Sequence, residues 1–371
     1  MPNENAIVGL VTRIEPSLEN RSAEEVLRER PDGVEVSFGE EPAVRLVPGE
    51  IAVGTLEILE QLRRMRLPAY VEVEPETRVI LRLLIPVVSR VEQTRQDSDV
   101  TRVRLEASHA IHILAPSEPD FDELRALLVE AEKSRSSLVI TETDDHRIID
   151  VRSWPDQRVA NEPSPAPGRP PGLLMRYWRC IRHWCCFWCC RFWCCVSPAR
   201  ADALFNQMSS QTCNPLTVPA PCIPFLYPDD GCWARAHEMC RLMQLQGARP
   251  RKIWIDGNLQ TPTKNNPNCV VYWGWHVAPT LCVRRWWPFS MRDMVIDPSL
   301  FTTPVTLATW KGAQGDPNAT LTPSAASLYW RNVMPSDPGY VDTNIRLAYY
   351  RLQLKNRSLL PAGPPPYGFC P

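Results

Sequence analysis

Cys232 stands in the run Tyr227-Pro-Asp-Asp-Gly-Cys-Trp-Ala-Arg-Ala-His-Glu-Met-Cys-Arg241, where a polar turn gives way to a helical pattern. A cysteine nucleophile needs a base to take its proton and a third group to orient that base. Only two histidines follow residue 200. His237 lies five residues further along the same helix, about 140° around its axis, so its side chain diverges from the thiol and reads as a flanking or supporting group. His276 sits in the apolar, aromatic run Val270-Val-Tyr-Trp-Gly-Trp-His-Val-Ala-Pro279, which reads as a buried strand ended by proline. The next strand-like run, Met294-Val-Ile-Asp-Pro-Ser-Leu300, delivers Asp297 at its end, where a carboxylate could hold His276.

The elements that must position these groups follow from spacing. Ala236, Met239 and Met243 continue an apolar stripe from Cys232 at intervals of four, three and four. Asp229 and Asp230 are candidate N-caps, and Gly231 lets the backbone turn sharply before the helix. A helix N-terminus is expected to favour thiolate and lower the Cys232 pKa. Trp273 and Trp275 lie two apart and should share one strand face, with His276 on the other. They are candidate substrate-binding residues that either wall the site or fill the core.

The segment from about 225 to 354 resembles the catalytic domain of the bacterial protein-glutaminase (protein-glutamine deamidase) family. The resemblance rests on Asp230-Gly-Cys-Trp-Ala-Arg-Ala-His-Glu-Met239, Gly257-Asn-Leu259, Trp273-Gly-Trp-His-Val-Ala278, Ile296-Asp-Pro-Ser-Leu-Phe301, Pro304-Val-Thr306 and Trp310, in the family's order. It implies a papain/transglutaminase-like domain, with a nucleophile-bearing helix packed on an antiparallel sheet, and a Cys-His-Asp triad at Cys232, His276 and Asp297. Two departures touch substrate choice: Trp275 stands where the family usually has tyrosine, and Arg284 to Arg292 replaces a more polar loop.

The implied chemistry is attack of the Cys232 thiolate on a glutamine side-chain amide, ammonia release and hydrolysis of the thioester, with no cofactor and no metal. The Cys232 backbone N–H is the expected first oxyanion donor. The partner is a glutamine-containing protein or peptide. Interception of the thioester by a lysine amine would make a transglutaminase-type crosslinker, and a non-catalytic binding module on the same fold is the other alternative.

The remaining chain sets the context. With 371 residues, 44% hydrophobic and 22% charged, it is of globular class and long enough for two domains. A formal net charge of -1 gives no argument for nucleic acid. Residues 1–153 lack cysteine and read as a small α+β domain, making the whole chain α+β. Strands are expected at Val34–Phe38, Tyr70–Glu74 and Thr101–Leu105, and helices at Thr55–Met65 and Phe121–Ser134, the latter capped by Asp120. His109, His112 and His146 show no metal-ligand motif. Residues 154–172 form a proline-rich linker, 173–200 a Trp/Cys-rich segment, 201–360 the catalytic domain and 361–371 a proline-rich tail.

Seven of the 14 cysteines fall within Tyr177–Cys195, interleaved with Trp178, Trp184, Trp188 and Trp193. Three readings stand: a hydrophobic lead-in packed on the catalytic domain, contact with a membrane surface, or a thiolate metal site. A spanning helix is disfavoured, because each of Arg179, Arg182 and Arg191 would cost roughly 2.5 to 3.5 kcal/mol at the bilayer centre. The N-terminus lacks a basic region followed by an apolar core, so no ordinary secretory signal is expected and the start is cytosolic, with signal-independent export as the alternative. Cys213, Cys222, Cys240, Cys269, Cys282 and Cys370 fit disulfides or buried thiols equally. Free deamidation would harm a host cell, which points to restraint by the N-terminal half or to export.

Overall fold

The computed structural model describes residues 5–154, 195–285, 290–331 and 337–368. Three five-stranded antiparallel sheets and the helices packed on them give a mixed α+β architecture. The linker and almost all of the Trp/Cys-rich segment lie outside the described residues.

The N-terminal half is two units of one topology. The first contains β1 (Ala6–Glu15), α1 (Ala23–Glu29), β2 (Val34–Phe38), β3 (Val44–Leu46), α2 (Ala52–Met65), β4 (Pro68–Val73) and β5 (Ile80–Leu84). The second contains β6 (Val87–Asp97), β7 (Val100–Leu105), β8 (His112–Leu114), α3 (Phe121–Ser134), β9 (Ser137–Glu142) and β10 (Ile148–Ser153). The sheet orders, β3-β2-β1-β4-β5 and β8-β7-β6-β9-β10, correspond strand by strand, with α2 matching α3 and α1 having no counterpart among the described residues. Both helices end on an arginine in the left-handed region, Arg66 and Arg135. Both third strands bridge in parallel to the loop after the fourth strand, Arg45 to Val79 and Ile113 to Arg147. The expected strands and helices are present, but Asp120 occupies the N-cap of α3 without a side-chain capping bond.

The C-terminal half is built on the sheet β14-β13-β12-β11-β15. Its strands are β11 (Arg251–Thr263), β12 (Asn266–Arg285), β13 (Ser290–Val295), β14 (Val305–Thr306) and β15 (Thr320–Ala325). Its helices are α4 (Pro198–Ser209), α5 (Cys232–Leu245), α6 (Leu307–Ala313) and α7 (Val341–Leu359). Pro279 does not end β12: the strand runs on to Arg285, and the Pro279 carbonyl accepts from the Ile296 N–H.

One hydrophobic core joins α4, α5, α7 and one face of the C-terminal sheet to the first N-terminal unit, while the second unit keeps a core of its own. The other sheet face packs Ile253, Ile255, Trp273 and Ala278 with Trp310 of α6 and Ala110 from the N-terminal half. Along α7, Asn356 donates to the Leu83 carbonyl and Gln353 to the Ile85 carbonyl, tying that helix to the end of β5. Among the described residues no helix is long and apolar enough to cross a membrane.

Among the described residues Cys195 pairs with Cys282 and Cys213 with Cys222, Cys269 is disulfide-bonded as well, and Cys232 and Cys240 are free and buried. The first fastens the end of the Trp/Cys-rich segment to β12, where Val196 also bridges Val283. It joins residues 87 apart in sequence. Replacing both cysteines, Cys195→Ser with Cys282→Ser, is expected to cost up to about 4 kcal/mol through the freed unfolded chain. A thermal melt of the double variant against the parent measures it.

Candidate active site

Helix α5 begins at Cys232 because Gly231 takes a left-handed φ of 79°. Glycine is required there twice over, since a Cβ would also lie 2.3 Å from the Tyr350 ring. The aspartates are not the caps expected of them, for α5 has no side-chain capping bond. Asp230 Oδ1 accepts from the Gly231 N–H at 2.8 Å and its Oδ2 from the Tyr350 hydroxyl at 2.7 Å. Asp229 pairs with Arg357 at 2.7 Å. Arg235, one turn into the helix and 2% exposed, folds back to donate to the carbonyls of Tyr227, Pro228 and Asp230. Its guanidinium satisfies the turn that would otherwise bury bare carbonyls, and so fixes where Cys232 sits.

The stripe of Cys232, Ala236, Met239 and Met243 is buried as expected, and α5 packs on β12. His237 diverges from the thiol. Its Nδ1 accepts from Lys252 Nζ at 2.9 Å, and burial with the neighbouring cation pushes its pKa down to about 4. His276 meets the other two candidates. Its Nε2 lies 3.0 Å from Asp297 Oδ2, and that oxygen also accepts from Trp310 Nε1 at 2.9 Å. Burial opposes ionisation of Asp297, yet the hydrogen bonds and charge of His276 and the Trp310 bond hold its carboxyl below the usual range. The Nδ1 of His276 is buried without a partner, and a ligand atom of His276 lies within 4.8 Å of Cys232 Sγ.

The tryptophans do not share a face. The register of β11 against β12 shifts between Asp256 and Leu259, opposite Gly274, so the two-residue alternation slips by one. Trp273 therefore joins His276 on one side, its ring stacked at 4.6 Å and 14°. Trp275 faces α5 with Val277 on the other, 5.8 Å from the Trp233 ring. Trp310 flanks the imidazole as well, at 5.6 Å and 28°.

The site contains a residue that sequence reasoning left outside it. β13 pairs only with residues 280–285 of β12, leaving the edge near Trp273 open. The segment after β7 fills that edge as a short antiparallel addition: Ala110 bridges Trp273, the Ile111 N–H donates to the Tyr272 carbonyl, and the Gly274 N–H donates to the His109 carbonyl, both at 3.0 Å. His109 is thereby driven among Trp273, Trp275 and His276, with ring centroids at 5.1, 5.4 and 5.8 Å. Asp230 accepts from the His109 backbone N–H at 3.0 Å, and its Oδ1 also lies 2.7 Å from the ring Nδ1 without hydrogen-bond alignment. Burial pushes its pKa down to about 4 against the pull of Asp230. No local signal marks His109, because its partners lie more than a hundred residues away.

The plug also changes the thiol. Beside it Cys232 is 2% exposed, and burial raises its pKa far above the ordinary range, outweighing Arg235 and a backbone hydrogen bond from Val277. The thiolate expected from the helix terminus is absent in this closed state, since desolvation exceeds what one helix end supplies. Behind the plug, His112 Nε2 lies 3.0 Å from the Ser108 hydroxyl, and the Nδ1 atoms of His112 and His146 both meet Glu142.

Residues 201–314, a span that includes Cys232, His276 and Asp297, match a family model described as a glutaminase. A crystal structure of protein-glutaminase is 33% identical, the match covering 42% of this chain and 89% of that one, with a TM-score of 0.38. The chain belongs to the protein-glutaminase family. The NMR structure of protein-glutaminase from Chryseobacterium proteolyticum is also 33% identical, over 40% of this chain and 84% of that one, at a TM-score of 0.37. A crystal structure of pro-protein-glutaminase is 24% identical over 72% of this chain and 93% of that one, at 0.49. No curated protein matches the chain.

Two outcomes follow from the closed geometry. Alkylation of Cys232 by iodoacetamide in the intact chain is expected to be at least about tenfold slower than in a His109→Gly variant, because burial withholds both the thiolate and access to it. Mass spectrometry of the 232 peptide measures it. Burial alone would lower the His146 pKa, but Glu142 outweighs it and raises it to about 9, while the two histidines hold Glu142 well below its ordinary value. The raised histidine stabilises fully below its unfolded value near 6.5, and that contribution is lost as pH climbs through about 9. The melting temperature should fall over that window, and the fall should flatten in Glu142→Gln.

Proposed function

We propose that this chain is the latent form of an enzyme that hydrolyses glutamine side chains in proteins or peptides to glutamate, releasing ammonia. One observation carries the reading: His276 has its Nε2 on Asp297, its Nδ1 unpartnered among the described residues, and a ring nitrogen within 4.8 Å of the Cys232 sulfur. In the reaction proposed, Cys232 gives its proton to His276 Nδ1 and its sulfur attacks the carboxamide carbon. An oxyanion forms, His276 returns the proton to the departing ammonia, and a thioester remains. Water, deprotonated by His276, then cleaves the thioester to glutamate and the free thiol. Asp297 holds the tautomer and stabilises the imidazolium, with the stacked Trp273 face adding cation–π stabilisation.

The helix carrying the nucleophile, packed on the antiparallel sheet that carries the histidine, supports the papain/transglutaminase-like reading of residues 201–360. The β12 edge at Trp273 is the proposed track for the substrate main chain, by strand addition. The walls of the glutamine pocket would then be Trp273 and Trp275, both of which now touch His109. Residues 1–153 act in this reading as the restraint, His109 standing where the carboxamide must enter. The disulfides support maturation in an oxidising compartment.

The test places a protease site in the proline-rich stretch 155–172 and compares ammonia release from a glutamine-containing protein before and after cleavage and dissociation. Release is expected only from the processed chain, and to fall to background in Cys232→Ala and His276→Ala. Equal release from the Cys232→Ala chain overturns the reading. Incorporation of an added primary amine in place of water would instead assign a crosslinker.

A further inference from the structure

His109, Cys232 and His276 each offer one ligand atom, and these atoms lie within 4.8 Å of one another. All three residues are at most 2% exposed. Among the described residues both ring nitrogens of His109 and the Nδ1 of His276 are buried without hydrogen-bond partners, which leaves desolvated nitrogens in the cluster with a thiol. A carboxylate lies beside one nitrogen of each ring: His109 Nδ1 is 2.7 Å from Asp230, though not aligned as a hydrogen bond, and His276 Nε2 is hydrogen-bonded to Asp297 at 3.0 Å. A carboxylate behind each imidazole is the outer-sphere arrangement that orients histidines toward a metal and raises their basicity.

We infer that the closed chain binds one zinc ion through His109, Cys232 and His276, and that this ion latches the N-terminal half over the nucleophile. Two nitrogens and one sulfur suit zinc, whose four-coordinate sites accept three protein ligands and a water. Tetrahedral coordination at ordinary zinc bond lengths needs ligand atoms about 3.5 Å apart, so three atoms all within 4.8 Å of one another are in reach of it with at most a small side-chain closure. Binding releases the Cys232 thiol proton to solvent, as the sulfur ligates as thiolate. The thiolate and the carboxylates of Asp230 and Asp297 offset the dication in a site with no other exit for its charge. One ligand comes from the N-terminal half and two from the C-terminal half, so the site exists only while the two are joined. The ligation rests on this geometry alone; its role as a latch rests on the proposed deamidase reading.

Cobalt(II) titrated into the intact chain is the probe, followed by zinc competition. The expected result is one ion per chain, with a thiolate-to-cobalt charge-transfer band in the near ultraviolet and the intense visible bands of a tetrahedral site, all displaced by zinc. Loss of a ligand in His109→Ala should weaken binding by at least about 100-fold, more than loss of an outer-sphere partner does. Cys232→Ser, a near-isosteric change that keeps the fold testable by circular dichroism, should abolish the charge-transfer band. Cobalt bound without that band, or bound equally by the intact chain and both variants, is adventitious surface binding and overturns the inference. Ammonia release from the processed chain tests the deamidase reading separately, since that chain lacks His109; there zinc should no longer bind tightly.

Discussion

The Asp230 carboxylate is the constraint on which the site depends. It is buried, and a buried carboxylate must be met by donors or charge. Three donors from three places meet it: the Gly231 N–H at the mouth of α5, the Tyr350 hydroxyl on α7, and the backbone N–H of His109 from the N-terminal half, whose ring lies beside the same oxygen. Burial opposes its ionisation, yet His109 and Tyr350 hold the carboxyl well below the ordinary range. One anion thus ties the start of the Cys232 helix to His109 of the N-terminal half.

Strand geometry supplies the other half of the arrangement. β12 is longer than β13, so part of its edge is unpaired within the C-terminal half, and an unpaired edge invites another strand. The bulge at Gly274 turns Trp273 onto the histidine's side at that edge, so the added segment meets an aromatic wall rather than open backbone. The duplicated N-terminal units present the same connection, between their second and third strands, in different ways. In the first unit it is the exposed Gly39–Ala43 turn; in the second it is the buried segment through His109. The second is braced by Ser108, His112, Glu142 and His146, which have no counterpart of that kind in the first.

The meeting of Cys232, His276 and Asp297 was legible from sequence as a candidate site because each sits at a position local rules mark: a helix start after glycine, an apolar strand and a strand end before proline. The strands and helices of the N-terminal half were legible for the same reason, since period and burial coincide there. The two-unit repeat was not read, because it lies in strand order and bridge positions rather than in shared residues. Trp273 and Trp275 were misassigned to one face because a bulge depends on the partner strand's register.

What the sequence by itself determined is the chemistry available: a cysteine, a histidine and an aspartate on elements whose patterns place them at the edges of regular structure. Tertiary structure alone decided the state of that chemistry. His109 comes beside Cys232 across more than a hundred residues, and burial of the thiol outweighs the pKa shift that the helix terminus would give. Desolvation and long-range pairing depend on what surrounds a group, and no window of neighbouring residues encodes that.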